Sequence, residues 1–384
     1  MYERVLKDNK DYLHPFSTYI IGSLFILVLF LAGCGSSDYR PEAIGKEGEI
    51  LVVIDSARWN GEVGEILREE LGQYIGTLPQ PEREFILRPA SIDAQLNNIK
   101  QFKNVVIVAP LSDSSNVALF LRSRLGEEGE NMLNRIGGMV VPKQNLWRRN
   151  QMVVYVTAPT AEDLVNIIDQ KGEDLRYLFN EKTRERLTRD MFEKGRQFEI
   201  EEKLMERHDF AVNAQHDYYI AIDTTNFVWL RRVLSDTWRS LFVYYIENAN
   251  PAVLSEEWIY TTRDSLTKKY IRGTLGGFVE IDRRMPLETE NINFLGRYGF
   301  ESRGLWQMMG EREDGTRFQF AGGGPFLTYT FYDEPSGRIY MIDGMVFAPG
   351  YEKREFLRQM EVIAHTFRTK QDVENQMRVA STAP

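Results

Sequence analysis

The sequence predicts a chain in two folded parts. The first is an α/β domain on a mixed, largely parallel sheet; the second is an α+β domain with an antiparallel sheet covered by helices. Three observations predict this. Between residues 49 and 172, short continuous apolar runs alternate with stretches of helical periodicity, as expected for strands buried on both faces by crossover helices. Beyond residue 208 the texture changes to successive aromatic and β-branched segments, which read as strands. A highly charged helical stretch over 173–207 separates the two.

In the first part, Glu49–Asp55 is a buried strand ending in a turn, and Val63, Ile66, Leu67, Leu71 and Tyr74 fall at helical spacing behind it. Phe85–Leu87 reads as a second strand, and Ser91 can cap a helix running to Phe102. Val105–Val108 is a third strand, followed by a helix over Val117–Leu125, and Met152–Val156 a fourth, followed by a helix from Thr160. The last two strands both stop at Ala-Pro before a Ser- or Thr-led helix; proline lacks the donor a ladder needs and ends it. No Gly-rich cradle accompanies these helix starts, so they read as ordinary strand–helix turns rather than anion sites.

The 173–207 stretch reads as one long helix or two successive ones, with an interruption near Asn180, linking the domains through a solvated face. In the second part, the segments Asp217–Asp223, Phe227–Val233 and Trp238–Ile246 read as strands and Ser255–Ile271 as a helix. Further strands over Phe300–Glu311 and Phe326–Pro349, broken by a hairpin loop at Asp333–Gly337, lead to a helix over Tyr351–Phe367. The order strand-strand-strand-helix recurs, with Trp229 and Trp306 at comparable places, which suggests a weak internal duplication. The helices are expected on one face of this sheet, and residues 369–384 are polar and expected to fray.

The amino-terminal segment carries a different signal. Thr18–Gly33 is apolar apart from Thr18, Tyr19 and Ser23 and ends directly at Cys34, the one cysteine of 384 residues. A run of this length suits the apolar region of a secretory signal better than a membrane span of ~20 residues. Leu31-Ala32-Gly33-Cys34 resembles the lipobox of bacterial lipoproteins. The resemblance implies cleavage before Cys34 and acylation of its thiol and new amino group, and several acyl chains hold a protein on a bilayer where one does not. Gly35, rather than an aspartate, follows the cysteine, which by the same resemblance favours the outer membrane. The n-region departs from the pattern, because Arg4, Lys7 and Lys10 are matched by Glu3, Asp8 and Asp11. The expected division is therefore a signal peptide over 1–33, a flexible tether over 34–48, an α/β domain over 49–172, a helical connector over 173–207, an α+β domain over 208–368 and a disordered tail over 369–384.

Composition limits function. An apolar fraction of 43% describes a folded chain, and a net charge of −9 argues against nucleic acid as a partner. With one cysteine there is no internal disulfide to form. His208, His216 and His365, the histidines beyond the signal, show no zinc-binding spacing. No nucleophile elbow, phosphate loop or dinucleotide fingerprint occurs, so neither metal nor cofactor is expected.

Arg303-Gly-Leu-Trp306, Gly323-Gly-Pro-Phe326 and the segment Asp343–Ile363 resemble a family of Gram-negative lipoproteins classed as a domain of unknown function. The resemblance runs from the lipobox to the last helix and implies an envelope location with no assigned activity. The final hairpin and helix are similar, more loosely, to the Mog1 and PsbP type of sandwich, an analogy of fold alone.

Gly322–Gly324 could form a small anion nest, or an irregular turn or bulge before a strand that opens at Pro325; the second reading is the simpler. Arg303 and Trp306 could form a cation–aromatic surface for a sugar or peptide. The ligand-site candidates are thus Arg303, Trp306, Gly323 and Gly324, with Cys34 for lipidation. The function expected is non-catalytic binding or scaffolding toward an envelope protein or a wall or glycan component, with the membrane held through Cys34. The alternative is a carboxylate hydrolase working in a cleft between the domains, and a weaker one a lipid carrier with an apolar cavity.

Overall fold

The computed structural model describes residues 38–193, 195–273 and 276–382. The signal peptide, the lipobox and Cys34 lie outside the described residues. Among the described residues no helix is long and apolar enough to cross a membrane.

The first domain is a three-layer α/β/α unit. Its sheet holds β1 (Glu49–Val53), β2 (Ile86–Ala90), β3 (Asn104–Pro110), β4 (Met139–Gln144) and β5 (Met152–Ala158) in the order β2-β1-β3-β5-β4. All pairs are parallel except β4 with β5. Strands β3 and β5 are buried along their whole length. One sheet face packs under α2 (Glu62–Glu70) and α5 (Ala161–Phe192), beyond the short α1 (Ser56–Trp59). The other lies under α3 (Ile92–Ile99) and α4 (Asn116–Ile136). The expected helix over Val117–Leu125 continues past a kink at Gly126 to Ile136.

Two expectations about the flanks change. Residues 42–47, assigned to the tether, lie against the domain: Glu42 and Ile44 bridge to Arg149 and Phe102, and Ala43 is buried. Glu47 is anchored by Arg186, a guanidinium with no exposed surface, which donates to Glu47 Oε2 at 2.7 Å, Asn104 Oδ1 at 2.8 Å and the Asn150 carbonyl at 3.0 Å. The connector is no solvated link either. Helix α5 runs unbroken through Asn180, buries Leu175 and Phe179 in the first core, and stops at Phe192. A separate helix, α6 (Phe198–His208), belongs to the second core.

The second domain centres on an antiparallel sheet. It comprises β7 (Tyr219–Asp223), β8 (Phe227–Val233), β9 (Trp238–Ile246), β10 (Phe278–Ile281), β11 (Glu288–Phe294), β12 (Arg297–Glu311), β13 (Arg317–Asp333) and β14 (Arg338–Phe347). The order is β10-β12-β13-β14-β9-β8-β7, with β11 beside β12. Short β6 (Phe210–Ala211) pairs with β15 (Arg368–Thr369). Along β13, Leu327, Tyr329 and Phe331 enter the core under α6 and α8 (Arg354–Ala364), while Phe326 enters a second core under α7 (Glu256–Tyr270). Helices therefore cover both faces rather than one, because alternate residues of the same strands are apolar on each side. This also breaks the suggested duplication: five strands rather than three lie between α7 and α8, and the two helices sit on opposite faces of an antiparallel central pair, which no rotation relates.

Residues 368–382 are ordered into strand and helix rather than frayed. Thr369 and Asp372 form a reciprocal cap, with the Thr369 N–H on Asp372 Oδ2 at 2.8 Å and the Asp372 N–H on Thr369 Oγ1 at 3.3 Å, and α9 (Lys370–Thr382) follows.

The domains dock through α8. Its N-cap, Lys353, supplies no side-chain cap. Glu82 of the first domain takes the backbone N–H groups of Lys353 and Arg354 at 2.7 and 2.9 Å instead. Arg358 donates to the Glu84 carbonyl at 3.0 Å and stands over the Phe85 ring.

Candidate functional site

Strands β12 and β13 outlast their neighbours. Strand β13 pairs with β12 as far out as Glu311↔Arg317, but with β14 only from Phe326↔Met345 to Asp333↔Arg338. Strand β14 ends at Phe347, beside Gly324, and among the described residues no strand lies on the outer side of Arg317–Gly323. Gly323 faces Gln307 while Gln319 faces Met309, so β13 carries surplus residues and bulges over 320–322. Gly322 there has φ 137°, a conformation other residues avoid. The glycines thus sit inside a strand that opens at Arg317, not before one opening at Pro325. Proline is tolerated at that point because the pairing with β14 begins only at the next residue, Phe326.

The motif residues explain one another. The Trp306 indole Nε1 donates to the Val346 carbonyl at 3.2 Å, and its ring packs on Trp238. A Cβ on Gly324 would lie 2.0 Å from that carbonyl oxygen and 3.3 Å from the indole nitrogen; one on Gly323 would lie 2.8 Å from the Trp306 carbonyl oxygen. Glycine is needed at 324 for the tryptophan to reach its acceptor.

The result is a groove of about 430 Å³ at the domain boundary. Gly322–Gly324 line it together with Trp306, Gln307, Gln319, Phe320 and, from the first domain, Pro79. Trp306 is 2% exposed, so it supports the groove more than it offers a stacking face. Asp282 at the rim is held by both arms of Arg284, at 2.7 and 2.8 Å, and the same arginine reaches Gln307 at 2.9 Å. Those hydrogen bonds hold the Asp282 carboxyl below its ordinary value.

Arg303 is not part of this site. Three residues from Trp306 on one strand, it points to the opposite face. It pairs there with Glu301 and lies 3.7 Å from Glu361 of α8. Burial alone would raise the Glu301 carboxyl, but the Arg303 charge and hydrogen bond hold it below its ordinary value. The same cluster contains Arg184, 2.9 Å from Glu361 and 2.6 Å from His365 Nε2. It is a domain-docking cluster. Of the four residues singled out by sequence, the structure brings Trp306, Gly323 and Gly324 together and separates Arg303. Sequence reasoning missed Gln319, Phe320 and the Asp282–Arg284 pair; the alternation in Arg317-Phe-Gln-Phe320 was the available signal.

Fold and groove define a class: a two-domain protein with a docked α/β unit and an antiparallel sandwich that presents an open strand edge. Residues 43–192 match the family described as Domain of unknown function (DUF8532), and residues 197–366 match Domain of unknown function (DUF4837). The boundary between the matches falls at the break between α5 and α6. All three C-terminal motifs, from Arg303 to Ile363, lie inside the second match. No curated protein matches the chain in sequence. Among solved structures, the Saccharomyces cerevisiae Ran-binding protein Mog1p is similar at 11% identity and a TM-score of 0.30, over 42% of this chain and 90% of its own. A mutant of the protein Mog1 gives 10% and 0.26 over 42% and 90%. A protein of Bacteroides thetaiotaomicron gives 12% and 0.21, over 42% of this chain and 45% of its own. These likenesses are weak and concern the fold alone.

Proposed function

We propose that this chain is a lipid-anchored protein of the cell envelope, held at the outer membrane through Cys34, and that it binds an extended segment of another envelope protein without catalysis. The observation that carries the reading is the open edge of β13 over Arg317–Gly323, where the strand is exposed or half-buried and β14 no longer runs alongside. A strand edge offers main-chain N–H and C=O groups to an incoming backbone, and at Gly322 a Cβ would meet nothing nearer than Met308 at 3.7 Å, which leaves room for that backbone. The carboxylate at the groove, Asp282, is engaged by Arg284, which suits a recognition surface better than a hydrolytic pair. The lipobox supports the anchor. Five residues separate Cys34 from Arg40, whose carbonyl already accepts from Arg149 of the domain at 2.8 Å, and six residue steps extend at most about 22 Å. The body is therefore kept close to its bilayer.

Two experiments test this. Radiolabelled fatty acid should enter the full chain and be lost in Cys34→Ser; labelling that persists in the variant rejects the anchor. A photo-crosslinker at exposed Ala321 should yield a discrete adduct with one envelope protein, absent when the crosslinker is placed at exposed Tyr177 on α5. No adduct, or the same adduct from both positions, rejects the groove.

A further inference from the structure

We infer that the opposite end of the β12–β13 hairpin carries a second binding site, for a neutral saccharide. A cleft of about 590 Å³ opens there, within the range of small-molecule sites. Tyr298 and Phe300 of β12 and Tyr332 of β13 line it from the sheet, and Pro251 and Leu254 from the turn preceding α7. Tyr298, Phe300 and Tyr332 occupy even positions and so share the face of Phe326 and Trp306, the face that α7 covers further along. Helix α7 begins only at Glu256, and the aromatic residues beyond it remain reachable. Tyr298 is 65% exposed, and its ring meets that of Phe300 edge-on at 5.8 Å.

The polar groups decide what fits. Arg297 is the cation of the cleft, and its N–H groups are engaged: Nε with Asp333 at 2.5 Å, Nη1 with the Leu295 carbonyl at 3.1 Å, and Nη2 with Asp372 at 2.7 and 2.9 Å. The Tyr298 hydroxyl donates to Asn291 Oδ1 at 2.6 Å. Asp333 is fully buried and spent on Arg297 and Ser336, so the wall presents acceptors from the exposed Glu334 and the partly exposed Asp372 more than donors. A polyol is rich in donors and has an apolar C–H face that packs on an aromatic ring. A proline-rich segment is rich in carbonyl acceptors and would find few donors here. Three carboxylates against one guanidinium leave the wall negative, so a sugar acid or phosphate is repelled.

The site is separate from the glycine groove, and its test can fail while that reading stands. The full chain, in a detergent without a sugar headgroup, is titrated with N,N′-diacetylchitobiose and with cellobiose, using digalacturonate as the anionic probe and saturation-transfer NMR as readout. At least one neutral disaccharide should bind, and digalacturonate at least about tenfold more weakly. Tyr298→Ala should weaken binding about tenfold, while Tyr298→Phe, which keeps the ring, stays within about twofold. The Ala321 crosslink should be the same in all three forms. Absence of binding by both neutral probes, tighter binding of digalacturonate, or affinity unchanged in Tyr298→Ala overturns the saccharide site. Competition by a proline-rich peptide at equal or lower concentration does so too.

Discussion

The two sheets of this molecule solve the problem of cover in opposite ways. In the first domain the two central strands are shorter than the two longest helices over them. Strands β3 and β5 have 7 residues each, about 23 Å, beneath α4 and α5 of 21 and 32 residues, about 32 and 48 Å. In the second domain the inequality reverses. Strands β12 and β13 have 15 and 17 residues, about 50 and 58 Å, beneath α7 and α8 of 15 and 11 residues, about 22 and 16 Å. A sheet that outruns its helices leaves both ends of its longest hairpin uncovered. The glycine groove lies at one end and the aromatic cleft at the other. The sites follow from an excess of strand length.

Each domain also buries one arginine completely, and here the largest contrast can be measured. Arg263 on α7 reaches across the second core to Asp343 on β14, 2.6 Å from Nε to Oδ2, with Thr328 donating to the same oxygen at 2.5 Å. Both side chains have no exposed surface. Asp343→Ala strands the cation and should cost about 3–5 kcal/mol, read as a shift in the denaturant midpoint of the second domain. Arg186 keeps Asn104 and the Asn150 carbonyl when its carboxylate is neutralised, so Glu47→Gln should cost only about 1–3 kcal/mol. Equal losses would show that the first domain's arginine depends on its carboxylate as fully as the second's.

Next in size is Gly324→Ala. Its methyl would meet the Val346 carbonyl, and the Trp306 hydrogen bond and the strand end must yield, at about 1–3 kcal/mol, measured as a fall in Tm. Gly315→Ala, at a left-handed turn with open space, should cost about 1 kcal/mol. A larger loss at 315 than at 324 would detach the glycine motif from the tryptophan. Smaller again is Glu82→Ala, which removes the cap on α8 at about 1–2 kcal/mol. Calorimetry should then resolve two unfolding transitions where the intact chain shows closer coupling; a single unshifted transition would make the cap dispensable.

How much of this was legible follows from the same contrast. Parallel strands buried on both faces read as apolar runs, so β1, β3 and β5 stood out. Edge strand β4, Met-Val-Val-Pro-Lys-Gln, did not, because its apolar run is short and holds Pro142. In the second domain β8 and β9 were read with the ends they have in the structure, being aromatic and β-branched throughout. Strand β11 is polar and half-exposed and left no such trace. The outer half of β13 was hidden by its glycines, which suggest a turn when read locally and become a bulge only once β12 lies alongside. Arg303 shows the limit most plainly. Its motif neighbour Trp306 is close in sequence, but an odd spacing on a strand puts them on opposite faces. The reciprocal cap at Thr369–Asp372 was legible in four residues and outweighed by the polar composition of the tail.

The smallest expected effect tests whether the docking cluster answers to pH. A guanidinium only donates, so the 2.6 Å contact from Arg184 requires His365 Nε2 to be an unprotonated acceptor, and Nδ1–H then donates to the Glu361 carbonyl at 2.9 Å. Burial pushes the His365 imidazole below its ordinary 6.5, and the Arg184 charge pushes it further the same way, against the opposing pull of Glu361 and Glu301. The folded chain thus resists a proton that the unfolded chain accepts. The stability this contributes is present in full above pH 6.5 and is lost as the pH falls from there through the lower folded value. The depressed carboxyls of Glu301 and Asp282 lose their contribution only below their ordinary 4.5 and 3.8, a separate window. Denaturant midpoints measured from pH 7.5 to 5 should therefore fall for the intact chain and run flatter for His365→Gln, whose amide takes up no proton in that range. Parallel pH profiles would show that the imidazole does not sense the docking of α8 against α5.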